Sequence, residues 1–512
     1  MVLMGKMKSI SGISIIILTI SLSTIIIVVH IPIYSTDFNR LVKTYSKIGL
    51  NITTFSLNIY RNIILNKSSS ININASGDGY YTIQGKILDE KNNIIKIFYI
   101  DSWSNGSIFL EKGKYKVFLE KAYVFYSNKP PSINIYTCGR GERNIHLDLS
   151  HYPMFGEYYL KIHRIVDSNI NISMMLLGFS WHGKPIYGIS IGEKNKPIIV
   201  IVAHHHAREI ITAYFSLYLL SKIVLEKPDI IHIYRIIIIP TLNPDGYEIV
   251  FKNPWIRKNL HPIDDDGDGL FDEDGPEDID GDGYISEYRN SSGIFYEGID
   301  NDGDRRINED WPGGVDLNRN YPFMWEKGAT LKSSLIYRGE YPFSEPETLA
   351  IKYFIEKYRD RIVFLITYHS GANLILYPYG YTDISPPDVD FFKNISKTYA
   401  MIANLYVMQS SRLYYSYGEL TDWLYSTYNI PAVTVEMYGK AFDYRWMRKH
   451  TYRVGKTRIF KNTFELFNPI DSQIKIILEK NYNALIYMLN RLDLNKYYGR
   501  SPIEKIVNYS LH

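Results

Sequence analysis

A histidine and a glutamate three residues apart, His206 and Glu209, follow directly on the apolar run Ile198-Ile199-Val200-Ile201-Val202-Ala203. The run is short, β-branched and uninterrupted, which predicts a strand buried on both faces. Ile210 to Leu225 behind it predicts an amphipathic helix. The pair therefore stands at the carboxyl end of a strand, where open α/β sheets bind ligands. An imidazole and a carboxylate at this spacing can reach one small cation. Zinc suits nitrogen plus one hard oxygen and keeps a fourth position for water. The chain has 13 His, so one His-x-x-Glu match is expected by chance, and a zinc site needs a third ligand elsewhere.

The elements that must position such a site are strands alternating with helices from about residue 151 onward. Strands are expected at Pro185–Ile191, Ile198–Ala203, Ile233–Ile239, Ile362–Tyr368 and Ala432–Met437. Helices are expected at Ile210–Leu225, Glu345–Tyr358, Asp388–Leu405 and Ser472–Leu492, the second opening on a capping box, Ser344-Glu345-Pro346-Glu347. This pattern predicts an α/β domain with a mixed central sheet flanked by helices. Three more strand ends carry polar groups. Ile362–Tyr368 runs into His369-Ser370. Ala432–Met437 holds Glu436, an acid whose burial needs a task or a partner. The third run enters the turn Asn243-Pro244-Asp245-Gly246, and Arg257 and Val315-Asp316-Leu317-Asn318-Arg319-Asn320 lie beyond it.

In this order, these segments resemble the zinc carboxypeptidases of the carboxypeptidase A type. Ser-Glu-Pro-Glu-Thr at 344–348 and Leu-Tyr-x-x-x-Gly-x-x-Thr-Asp-Trp at 413–423 look most like the carboxypeptidase T branch. Carboxypeptidase A is the type example of a catalytic zinc held by two His and one Glu. The resemblance covers about 160–490 and implies one catalytic Zn²⁺ on His206, Glu209 and His369. It implies that Glu436 is the general base that activates a zinc-bound water, and that Arg257 stabilises the oxyanion. Asn318, Arg319 and Tyr414 would hold the terminal carboxylate of a peptide or protein substrate, and Arg208 matches a further substrate-side Arg. Thr421 matches the base of the side-chain pocket, with Glu419 nearby, which suggests neutral and basic C-terminal residues. Two other readings stay open: a zinc amidase or endopeptidase on cell-wall-type peptides, and a calcium-dependent surface protein with an inactive peptidase fold. Loss of Glu436 or a ligand would signal the last, and none is lost.

Between Arg257 and Asn318 lies an acidic insert, 261–312. Residues 264–310 hold 18 Asp/Glu against 3 Arg, a balance of −15, so the rest of a +3 chain carries +18. No basic-aromatic cluster uses that surplus, and no nucleic-acid partner is expected. Three runs alternate Asp with other residues: Asp264/Asp266/Asp268 with Asp272, Asp278/Asp280/Asp282, and Asp300/Asp302/Asp304. Alternate carboxylates on a tight loop suit structural Ca²⁺, which takes six to eight oxygens. The second run has Arg289 where an EF-hand loop has its last Glu, so these are not standard EF-hands.

Residues 1–35 read as a membrane anchor or signal segment. Lys6 and Lys8 precede Ile13–Val29, an apolar run long enough to span a bilayer, with no A-x-A-like cleavage site after it. The basic flank predicts a single-pass protein with its catalytic domain outside the cell membrane, or a secreted one if the segment is cleaved. Eight N-x-S/T sequons are compatible with export. Residues 36–150 read as a small β-rich domain that spaces 151–495, the catalytic domain, from the membrane; 496–512 form a tail. The single Cys, Cys138, excludes an intrachain disulfide.

Overall fold

The computed structural model describes residues 40–493 except 42, 46, 48–49, 51, 66–68, 78, 104–105, 111–112, 126–128, 130, 139–146, 168, 170, 265–266, 283–284, 292, 312, 455–456 and 461. The expected anchor at 1–35, the tail at 496–512 and Asp266 lie outside the described residues. Among those described, no helix is long and apolar enough to cross a membrane.

The amino-terminal part carries two antiparallel sheets. One has the order β1-β6-β3-β4, from Thr53–Leu65 (β1), Gly113–Phe125 (β6), Tyr80–Leu88 (β3) and Ile94–Asp101 (β4). The other has the order β5-β2-β7, from Gly106–Leu110 (β5), Ser69–Ser76 (β2) and Ser132–Cys138 (β7). Alternate residues such as Ile71, Ile83, Phe98, Ile108 and Leu119 meet in one apolar core between them.

An eight-stranded mixed sheet follows, with the order β16-β15-β17-β14-β10-β11-β9-β8. Its strands are Ile172–Phe179 (β8), Pro185–Ile191 (β9), Ile198–Ala203 (β10), Arg235–Ile239 (β11), Ile362–His369 (β14), Leu374–Tyr377 (β15), Tyr406–Gln409 (β16) and Ala432–Glu436 (β17). Strands β11, β10, β14 and β17 are parallel neighbours. β10 explains its own sequence. Ile199, Ile201 and Ala203 face one core, while Ile198, Val200 and Val202 face the other, so no position is left for a polar residue.

Helices Phe155–Asp167 (α1), Ile210–Glu226 (α2), Val389–Ala403 (α4) and Ser472–Leu489 (α6) cover the first face. Pro346–Tyr358 (α3) and Leu420–Tyr428 (α5) cover the second. Four expectations change. α2 is buried all round from Ile210 to Ser221, not on one stripe, because α1 and α6 pack over it. The strand expected from Ile233 starts at Arg235, since Ile230–Ile233 forms a helical turn. The capping box does not form: the residue before α3 is Glu345, without a side-chain cap bond, and Glu345 and Glu347 are buried. Both accept instead from the side chain of Asn259, and the Trp181 indole also donates to Glu345. Finally, helical residues within 40–47 belong with the catalytic domain, not the β-rich part. Leu41 and Tyr45 sit in the core under α3, and the Tyr45 hydroxyl donates to the Pro346 carbonyl.

The β-rich part shares the catalytic domain's cores. Tyr99 joins the first-face core, and Tyr123 and Phe125 join the second. Asp101, at the end of β4, is buried and accepts from the Tyr187 hydroxyl at 2.8 Å, with the His163 ring 3.0 Å away. Buried Lys96 donates to the carbonyls of Val166 and Asn169.

Candidate metal and substrate site

Chain order makes the crevice. The chain leaves β10, forms β11 on one side of it, and later returns as β14 on the other, so the carboxyl ends of β10 and β14 open a gap at the reversal. Left-handed His204 (φ +60) ends β10, and its ring bonds Thr241 Oγ1 and the Ala207 carbonyl to hold the turn. Glu209, before α2, has no side-chain cap of its own. Asn468 supplies the missing bonds: its Oδ1 accepts from Ile211 N and its Nδ2 donates to the Arg208 carbonyl.

This turn sets His206 and Glu209 beside His369 at the end of β14. His206 Nδ1 is 2.7 Å from Glu209 Oε1, His369 Nδ1 is 3.0 Å from Glu209 Oε2, and the two Nδ1 atoms are 3.1 Å apart. All three residues are buried. A tetrahedral zinc with bonds of 2.0–2.1 Å holds its donors about 3.3 Å apart, so two nitrogens and a carboxylate converging at this spacing fit that ion. Burial works against the Glu209 charge, but the two His hold its carboxyl well below the usual range.

Glu436 is the direct parallel-strand partner of His369, so the two residues stand side by side. Burial and then Glu209 push Glu436 well above the usual carboxylate range, with Arg257 pulling it back. The chain after Glu436 must pass close over residues 369–372. A Cβ at Gly439 would lie 1.8 Å from the carbonyl carbon of Gly371, so only glycine fits there.

Arg257 reaches the same place. Its Nε donates to Asp316 Oδ2 at 2.9 Å, and its Nη1 is 3.8 Å from Glu209 Oε1. Asp316 Oδ1 takes His206 Nε2 at 3.0 Å, so one carboxylate orients both the imidazole and the guanidinium. Nothing in the Val315–Asn320 motif marks Asp316 for this task, since both of its partners lie far off in the sequence.

Arg319 Nη2 donates to the Tyr414 hydroxyl at 3.2 Å, and Tyr414 is half exposed. Asn318 lies next to them, but its side-chain oxygen is committed to Leu420 N at the start of α5. Glu419 pairs with Arg319 at 3.3 Å and so is not a free acid in the pocket. Thr421 is buried in the first turn of α5, beside buried Asp422, which accepts from Gly380 N. Arg208 stacks its guanidinium 4.1 Å over Phe467.

In the insert, Asp278, Asp280 and Asp282 gather in one group, as do Asp300, Asp302 and Asp304. Asp302 also gathers with Asp268 and Glu273, and with Asp274 and Glu309, which folds the first run onto the third. Partial burial and the Asp274 and Asp304 carboxylates push Glu309 up to about 7. Asp264 and Asp272 bond to backbone N–H groups, of Gly267 and Gly269 and of Gly313, and join none of these groups. The insert also contributes Glu287–Asn290 (β12) and Gly293–Tyr296 (β13) to a sheet with Thr451–Val454 (β18) and Thr457–Phe460 (β19), in the order β13-β12-β19-β18.

The family model described as zinc carboxypeptidase matches residues 162–484, the span that carries every strand of the eight-stranded sheet and the converging His206, Glu209 and His369. The chain belongs to the zinc carboxypeptidase family. A zinc carboxypeptidase of Simulium vittatum is 26% identical over 308 residues, which are 56% of this chain and 85% of that one. Mast cell carboxypeptidase A of Homo sapiens is 26% identical over 275 residues, 50% of this chain and 55% of that protein, so this chain spans little more than half of that relative. Among solved structures, carboxypeptidase A from Helicoverpa armigera aligns with a TM-score of 0.50 and 17% identity, over 81% of this chain and 97% of that one. Thrombin activatable fibrinolysis inhibitor aligns with a TM-score of 0.50 and 20% identity, over 69% and 80%. These two likenesses show the zinc carboxypeptidase fold.

Proposed function

We propose that this chain is a zinc-dependent metallocarboxypeptidase that hydrolyses the C-terminal bond of peptides and proteins with a free carboxylate. The observation that carries the reading is the convergence of His206, Glu209 and His369 beside a buried, tyrosine-capped arginine, Arg319. Zinc held by the three ligands would supply a Lewis acid that acidifies water and polarises a carbonyl. Glu436 takes the proton of the attacking water and passes it to the leaving amine. Arg257, held by Asp316, donates to the oxyanion that forms on the scissile carbonyl. Arg319, Asn318 and Tyr414 bind the terminal carboxylate, for which a guanidinium gives a bidentate match. Arg208 contacts the substrate further from its end. Thr421 and Glu419 shape the side-chain pocket, and the Arg319 pairing of Glu419 supports neutral as well as basic residues there.

The insert takes structural Ca²⁺, a reading supported by the regular Asp spacing and by the groups that share Asp302. The apolar segment near the amino terminus anchors the protein, with the catalytic domain outside the membrane.

The test is a peptide matched in sequence and offered with either a free or an amidated C-terminus. Amidation removes the charge that Arg319 reads, worth about 1.5–3 kcal/mol for a charged hydrogen bond, so cleavage should fall by roughly 10- to 100-fold. Equal cleavage of both peptides would overturn the carboxypeptidase assignment.

A further inference from the structure

His206 and His369 both turn Nδ1 toward Glu209, so each has Nε2 left to satisfy. They satisfy it differently. His206 Nε2 meets the Asp316 carboxylate. His369 Nε2 meets Thr367 Oγ1 at 3.2 Å, two residues back on β14. The same hydroxyl is 3.2 Å from His205 Nδ1, and His205 Nε2 is 3.1 Å from the Tyr321 hydroxyl. Thr367, His205, Tyr321 and His369 are at most 1% exposed. The His205 and His369 rings stack at 5.2 Å and 22°. Tyr321 is itself stacked on Trp423 of α5 at 5.5 Å, which fixes the far end.

Proton counting gives these contacts one direction. If the His369 Nδ1 lone pair faces a cation, the ring proton is on Nε2 and must be donated to Thr367 Oγ1. The threonine keeps one hydrogen, which a His205 Nδ1 lone pair at 3.2 Å is placed to accept. His205 consequently carries its proton on Nε2 and donates it to the Tyr321 oxygen. The reverse run, from the Tyr321 hydroxyl through His205 and Thr367 to His369 Nε2, would put the ring proton on His369 Nδ1, against the cation.

We propose that Thr367, His205 and Tyr321 form a one-way hydrogen-bond relay that fixes the tautomer and ring angle of His369 as a metal ligand. His205 and Thr367 are thus positioning residues, and the relay backs His369 with a neutral partner where His206 has a charged one. The proposal rests on the reading of His206, Glu209 and His369 as zinc ligands. Partners of ligating imidazoles typically change metal affinity by about 10- to 100-fold when removed.

The test uses the full chain, measuring zinc affinity by chelator competition and the visible absorption bands of the cobalt(II)-substituted protein. Thr367→Val keeps shape and breaks both hydroxyl bonds; His205→Leu removes the ring nitrogens. Both should weaken zinc binding by roughly 10- to 100-fold and shift the cobalt bands. His205→Asn places an amide oxygen near the Nδ1 position and should restore most of both. Wild-type zinc affinity and cobalt bands in Thr367→Val would overturn the relay, whatever happens to the melting temperature. His369→Ala is the control that separates the two claims: if it keeps wild-type zinc affinity, the ligand assignment itself fails.

Discussion

Asp101→Ala should loosen the joint between the β-rich part and the catalytic domain, and the loss should depend on pH. Asp101 is 1% exposed and is met by the Tyr187 hydroxyl and the His163 ring, both buried. Burial disfavours a charged His163, but Asp101 and, further off, Asp167 outweigh it, so its pKa is raised from 6.5. A raised folded-state pKa adds stability that is fully present below about pH 6.5 and is lost as pH rises through the folded value. Below that point the substitution leaves a buried cation without its partner and a buried hydroxyl without its acceptor. Breaking a buried pair from one side costs about 3–5 kcal/mol. Above it the cost falls to that of the hydrogen bonds alone, about 1–3 kcal/mol. Urea unfolding followed by tryptophan fluorescence, at about pH 6 and about pH 8.5, measures both values. A cost below about 1 kcal/mol at the lower pH, or one equal at both, would refute the argument. Asp101→Asn should cost less at both pH values, because the amide oxygen still accepts from Tyr187, while its loss stays larger at the lower pH.

Three further outcomes are expected. Glu436→Gln should bind zinc normally while turnover falls by roughly 10²–10⁴-fold, read by metal analysis and peptide assay; near-normal turnover refutes its role as base. Gly439→Ala should lower both stability and zinc content, since its Cβ would meet the backbone of Gly371 at 1.8 Å; a wild-type melting curve refutes the close approach. On the proposal that the insert takes Ca²⁺, a calcium-selective chelator, with zinc held constant, should lower the melting temperature and activity, because an ion bound by the folded insert alone stabilises it by mass action. Asp280→Asn with Asp302→Asn should reproduce part of that loss; no change after verified calcium removal leaves the insert a solvated acidic loop.

The convergence of His206, Glu209 and His369 beside Glu436 was legible because these residues stand in or just beyond apolar runs, where an acid or imidazole stands out against Ile and Val. Strand β8 was not. Its Ile-Ser-Met-Met-Leu-Leu-Gly-Phe has no alternation, because part of one face packs under α1 and part of the other under α3. Helix α5 was missed for its length, nine residues that gain order from packing on β17. The orienting residues were beyond reach of sequence for another reason. Asp316, Asn468, Thr367 and His205 act through partners that the sequence does not mark, up to 260 positions away for Asn468 and Arg208. The Ser344–Glu347 signature misled because the local cap competed with buried partners, and Asn259 and Trp181 won both carboxylates.

The sheet shared by β12, β13, β18 and β19 has a consequence for how this chain can be recut. A lone two-stranded hairpin is marginal in water. The acidic insert brings one hairpin, and the stretch after Glu436 brings the other, paired through Glu287–Arg289 and Arg458–Phe460. Neither hairpin is a finished module, and each completes the other's sheet. Deleting 287–296 alone would leave β19 as a raw edge open to pairing with another chain. A graft of the acidic segment into another scaffold would have to carry 451–460 with it.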